Sequence, residues 1–234
     1  MKTSKTFIFF VVLLSFSLLR AEKFEFDFSV SHEGWVGDFS DYPAGSEAFY
    51  DLKWGWGNLP AEISNKDEIL TKGIFLSGNN HSDDLFMFIK RSIENLEPNT
   101  NYNLHFEVAV ESNIPSGEIG IGGSPGESVY FKIGASTIEP KKEEINGDYL
   151  LNVDKGDQSE SGENSLVIGT LENPLVDPSD PQFESKLLSN EVPLKVRTDQ
   201  KGQLWIFVGT DSGFEGSTLY YVAKVSVFAE KSED

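Results

Sequence analysis

The chain has 234 residues, with 19 Lys and Arg against 38 Asp and Glu, a formal net charge of −19, and no cysteine. That balance excludes a nucleic-acid binder and works against anionic lipid surfaces, because both are held through Lys and Arg clusters that this chain lacks. Without cysteine there is no disulfide framework and no residue to carry a lipid, so an exported chain must hold together on its apolar core.

Residues 1–21 read as a signal peptide. Lys2 and Lys5 open it, an almost unbroken apolar run fills residues 7–19, and Ala21 supplies a small residue for cleavage. The run is shorter than the ~20 residues a bilayer span takes. A secreted or periplasmic protein with no membrane span after cleavage is therefore expected. An uncleaved anchor is the alternative, since Leu19 is larger than the usual residue two places before Ala21. Residues 22–234 remain as a single expected domain, whose net charge falls to −22 once Lys2, Lys5 and Arg20 are gone.

Within that domain, residues 24–30 alternate Phe24, Phe26, Phe28 and Val30 with Glu25, Asp27 and Ser29, the pattern of a half-buried strand. Residues 47–56 and 73–77 are further strand candidates. Residues 84–96 admit two readings. Leu85, Phe88, Ile89, Ile93 and Leu96 form a helical stripe with Ser82 as a cap, whereas 85–89 is a continuous apolar run suited to a strand buried on both faces. Then comes Leu96-Glu97-Pro98-Asn99-Thr100-Asn101-Tyr102, a turn in which Pro98 fixes φ and Asn99 and Thr100 can bond nearby backbone. Tyr102, Leu104, Phe106, Val108 and Val110 follow on one strand face, with His105 on the other. Strands are also expected over 128–133, 149–153, 165–171, 194–198, 203–209 and 217–228. Residues 139–147, 154–164 and 173–183 are polar or proline-bearing and read as long surface loops. Trp35 and Trp205 sit in strand-like apolar patterns and are assigned to the core.

The wording Leu-x-Pro-Asn-Thr-x-Tyr with alternating apolar residues after it resembles the hairpin at the centre of carbohydrate-binding modules of the galactose-binding-like jelly-roll fold. The resemblance covers residues 96–110, the opening 28–35 and the closing 219–228. It implies an all-β fold, a jelly-roll β-sandwich with long loops, and it makes residues 84–96 a strand leading into the turn.

Candidate functional residues lie in the loops and the aromatic segment. Trp54-Gly55-Trp56-Gly57-Asn58, with Tyr42, Phe49 and Tyr50 before it, offers indole faces on which the apolar face of a sugar ring can stack. Core packing is the competing use of such aromatics. Gly78-Asn79-Asn80-His81-Ser82-Asp83-Asp84 gathers amides, an imidazole and two carboxylates, and a hard cation such as Ca²⁺ takes about six to eight such oxygens. A plain polar turn is the competing use. The glycine-rich stretch 120–127 lacks the Lys and Ser or Thr of a phosphate loop, although Glu127 at its end could act as a ligand or base. Asp154-Lys155-Gly156-Asp157 carries only part of a calcium-loop pattern. No thiol and no Gly-x-Ser-x-Gly occur, and there are three histidines, so no catalytic residue is nominated.

The expectation is an exported, non-catalytic module for carbohydrate or another polar ligand. Trp54, Trp56, Asn79, Asn80 and His81 are its ligand contacts, with structural calcium at Asp83 and Asp84. Two alternatives stand beside it. One is a polysaccharide hydrolase or lyase on the same sandwich, using His81 with Asp83 or Glu127. The other is a surface adhesin gripping a protein partner.

Overall fold

The computed structural model describes residues 21–64, 66 and 70–232, so the expected signal peptide lies outside the described residues except for Ala21. In chain order the strands are β1 (Glu22–Asp27), β2 (Val36–Ser40), β3 (Tyr42–Pro43), β4 (Lys53–Asn58), β5 (Lys72–Asn79), β6 (Leu85–Ile93), β7 (Asn101–Ser112) and β8 (Val129–Ser136). They continue as β9 (Lys142–Ile145), β10 (Asp148–Leu151), β11 (Ser165–Thr170), β12 (Glu184–Ser189), β13 (Leu194–Arg197), β14 (Leu204–Ser212) and β15 (Ser217–Lys231). A short helix, α1 (Ala61–Ser64), lies between β4 and β5.

Seven strands form one sheet along β12-β7-β15-β5-β4, with β13 also beside β7 and β1 also beside β15. Five form a second sheet, β11-β8-β14-β6-β2, and β3, β10 and β9 make a small third. All these pairings are antiparallel. The two large sheets enclose one apolar cluster, and period-two alternation decides who enters it. Tyr102, Leu104, Phe106, Val108 and Val110 of β7 meet Met87 and Ile89 of β6, Phe131 and Ile133 of β8, and Ile206 and Val208 of β14. In β15 the register against β7 shifts between Val222 and Lys224, and the extra residue lets Val222, Val225 and Val227 all face inward. This is the expected β-sandwich.

Three local expectations are corrected. The turn at Pro98-Asn99 does not close a hairpin: β6 belongs to the five-stranded sheet and β7 to the seven-stranded one. Both edges of β6 are already paired, by β14 and β2, so the chain must cross to the other layer. Residues 139–147 are not all loop, because Lys142–Ile145 is strand β9, paired with β10. Residues 47–51 are turn, and the aromatic strand begins at Lys53.

The outer face of the five-stranded sheet positions the candidate site. Register places its side chains in rows across the strands. Ser92, Trp205 and Ser136 form the first row; Val36, Lys90, Phe207 and Gly134 the second; Asp38, Phe88, Gly209 and Lys132 the third; Ser40, Phe86, Asp211 and Tyr130 the fourth. The segment from β9 through residue 164 folds back over much of this face. Val153 and Leu151 pack on Phe86, Phe88 and Phe207 in a second apolar cluster. The end of the Phe207 ring covers Gly134, where an added Cβ would stand 1.9 Å from it. Gly134→Ala is expected to lose about 1–3 kcal/mol through overpacking, read as a lowered denaturation midpoint.

Candidate functional site

Trp205 is the correction that matters most. Leu204, Ile206 and Val208 take the inward positions of β14, so Trp205 emerges on the outer face and lines a cleft of about 370 Å³. Its directly opposite neighbours are Ser92 on β6 and Ser136 on β8. These two small residues put no bulky side chain directly opposite Trp205, which is itself partly exposed. Asp38, Lys90, Arg91, Ser92 and Glu139 complete the polar lining.

Lys90 organises the cleft. It is buried on the outer face of β6, and its ammonium lies 3.3 Å from Asp38 Oδ2 and 3.0 Å from Glu139 Oε1, and donates to the Pro140 carbonyl. The covering segment is thereby tied to the sheet, and Glu139 becomes one wall. Arg91 alternates with Lys90 along β6, with its guanidinium 4.3 Å from the Phe26 ring centroid and a hydrogen bond to the Glu33 carbonyl. An aromatic plate beside fixed carboxylates and a hydroxyl can stack an apolar ring face and accept hydrogen bonds from ring hydroxyls.

The residues expected to bind ligand lie elsewhere. Trp54 and Trp56 stand on edge strand β4, on the side that faces the core. The Trp54 ring lies against Gly37 of β2, where an added Cβ would come within 2.3 Å, and it remains 37% exposed. Trp56 packs against the main cluster, donates its Nε1 hydrogen to the Phe28 carbonyl at 2.7 Å, and carries the Lys72 ammonium 4.2 Å from a ring centroid. Asn80 is buried and staples two segments: its Nδ2 donates to the Ser212 and Phe214 carbonyls, 2.9 Å each. His81 is exposed and stacks on Phe49, itself 64% exposed, with centroids 4.0 Å apart, and its Nε2 is 2.9 Å from Asn79 Nδ2. Asn79, His81, Phe49 and Tyr50 thus meet near the start of β6, whereas Trp205 faces its far end, seven residues or about 24 Å along the strand. Glu127 braces its own loop, accepting from the Gly117 amide at 2.6 Å and from the Ser124 hydroxyl. Those two hydrogen bonds, Ser124 first, hold its carboxyl below the usual range.

Asp83 and Asp84 part company. Asp83 sits in a left-handed conformation (φ 58°), with Oδ1 against Gly122. Asp84 turns inward instead. Among the described residues, the carboxylates close enough to share an ion are those of Asp41, Asp84 and Asp211, all within 4.8 Å of one another. They do not fit a resident calcium, because the Lys155 ammonium already stands among them, 2.7 Å from Asp211 Oδ2 and 3.2 Å from Asp41 Oδ2. Lys132, fully buried, adds a second ammonium 2.8 Å from Asp211 and donates to the Lys155 and Glu160 carbonyls. Burial works against the charge of Lys155, and Asp211, Asp41 and Asp84 overcome it, raising its pKa. For Lys132 burial prevails over Asp211 and lowers it. Single lysines inside apolar strands, Lys90 in β6 and Lys132 in β8, were the readable signal for these buried pairs.

No protein-family model matches the chain, and no curated protein matches it. Among solved structures it is similar to a candidate sugar-binding protein of Bacteroides thetaiotaomicron, 11% identical over 88% of this chain and 92% of that one, with a TM-score of 0.41. It is also similar to the family 11 carbohydrate-binding module of a cellulosomal cellulase of Clostridium thermocellum, 12% identical over 88% and 94% of the two chains, TM-score 0.37. A third likeness is to the enzymatically active domain of the bacteriophage CBA120 tailspike protein 4, 12% identical over 82% of this chain, TM-score 0.33; the chain spans only 19% of that protein's length. Among the described residues no helix is long and apolar enough to cross a membrane.

Proposed function

We propose that this protein is a non-catalytic carbohydrate-binding domain, exported by residues 1–21, whose ligand lies in the Trp205 cleft. The observation that carries this reading is the partly exposed Trp205, with two serines directly opposite it, in one cleft with the carboxylates of Asp38 and Glu139. The cleft runs across the strands from Trp205 on β14, past Ser92 and Lys90 on β6, to Val36 on β2. Two strand spacings make that path about 10 Å long, room for a short segment of a glycan chain.

The test is affinity electrophoresis and calorimetry of the purified protein against a panel of soluble polysaccharides. Burying one large side chain is worth about 1.5–3 kcal/mol, so Trp205→Ala is expected to weaken binding about ten- to a hundredfold while the protein stays folded. Unchanged binding by folded Trp205→Ala would remove the cleft from consideration. A second location rests on the stacking of exposed Phe49 on His81, with Asn79 beside them. Binding lost in Phe49→Ala and kept in Trp205→Ala would move the site there.

A further inference from the structure

Asp41, Asp84 and Asp211 reach one point from three elements: the residue after β2, the residue before β6, and β14. Carboxylates this close and this shielded repel one another unless positive charge stands between them. Proteins commonly supply it as a hard cation held by oxygens. Here the chain supplies it. Lys155 is buried, its ammonium bonds Asp211 and Asp41, and it lies 5.4 Å from the Phe86 ring centroid. It belongs to the covering loop, whose Val153 packs on the Phe86 cluster. Two oxygens at the same point, Asp84 Oδ1 and Asp211 Oδ1, are buried and without a hydrogen bond, so the oxygen set exceeds what the ammonium uses.

We infer that Lys155 is a built-in counter-cation: its ammonium takes the place of a divalent ion among Asp41, Asp84 and Asp211, and the same pocket without the ammonium binds one. When all three carboxylates are ionised, above the pH range in which Asp84 keeps its proton, they leave one negative charge against Lys132 and Lys155. Removing Lys155 leaves two, the charge a divalent ion matches, in a space the lysine stem vacates. The inference is independent of the glycan cleft, since its residues lie beneath the cover.

Thermal melting of the full chain in EDTA and in CaCl₂ at about 10 mM decides it, that concentration being ten- to a hundredfold above the ~10⁻⁴–10⁻³ M range of weak extracellular sites. The wild type is expected to melt at the same temperature in both. Lys155→Ala is expected to melt lower in EDTA and to recover about 3–10 °C with calcium, and methylammonium is expected to rescue it in part. Lys155→Ala combined with Asp211→Asn should show neither response. If Lys155→Ala does not fold in EDTA, refolding from denaturant with and without calcium replaces the melt, and a fold regained only with calcium supports the inference. A wild-type melt raised by calcium and made insensitive by Asp211→Asn would overturn it. So would a Lys155→Ala protein indifferent to both calcium and methylammonium, or one unfolded with and without calcium.

Discussion

Asp211→Ala is expected to destabilise the protein by about 3–5 kcal/mol, the range for removing one partner of a buried ion pair. Asp211 is fully buried on the outer face of β14 and holds two ammonium groups with one oxygen, Lys132 at 2.8 Å and Lys155 at 2.7 Å. Without it, Lys132 keeps only the carbonyls of Lys155 and Glu160, which carry no full charge. The penalty comes mainly from the orphaned ammonium. For a domain this size it should lower the melting temperature by about 6–20 °C. By contrast, removing the exposed Lys53–Asp51 pair should change stability by less than about 1 kcal/mol. Pairing Asp211→Ala with Lys132→Met supplies the control. If the loss arises from an unpaired Lys132, the double variant will be more stable than the single losses added together predict. Strict additivity would place the effect in packing.

The buried charges also explain which parts of this structure the sequence discloses. Residues 102–110 alternate cleanly because one face of β7 meets the core and the other meets polar surroundings, and period-two reasoning reads that correctly. Around Trp205 the pattern is ambiguous. Leu204, Trp205, Ile206, Phe207 and Val208 are apolar on both faces, since Leu151 and Val153, some fifty positions earlier, cover Phe207 from outside. Periodicity cannot tell a covered outer face from an inner one, so Trp205 reads as core. The flanks of the cover, residues 139–147 and 154–164, are polar and read as loops. The strand expected over 149–153 carries both apolar anchors, Leu151 and Val153, with nothing local to say which surface they cover. The cover's attachment through Lys132, Lys155 and Lys90 is long-range and electrostatic, which no local pattern encodes. Asp84 shows the same limit from the other side: its neighbour Asp83 faces outward to Gly122, while a single residue of chain turns Asp84 to the buried cluster.

Asp84 should give the protein an unusual pH dependence. Burial, which outweighs the attraction of Lys155, pushes its carboxyl up to about 7, with Asp41, Asp211 and Asp157 adding to the rise. Asp41 moves in the same direction, again chiefly through burial. An unfolded aspartate titrates near ~3.9. Between those values the folded protein holds the proton and the unfolded chain does not, so folding takes up a proton and stability falls as pH rises. The decline should run from about pH 4 to pH 7 and level off above. Each tenfold gain in proton affinity on folding is worth ~1.4 kcal/mol, so the whole decline amounts to about 2–4 kcal/mol, or about 4–16 °C in melting temperature. Carboxylates held low, such as Glu127 and Asp154, act oppositely, adding stability that is lost only as pH falls through acid values. Wild type and Asp84→Asn should therefore differ most at pH 8, where the amide variant melts higher, and converge near pH 5. Melting curves at closely spaced pH values across that range test this. Parallel profiles for the two proteins would mean that Asp84 is ionised in the folded state throughout, with Lys155 outweighing the desolvation of its carboxylate.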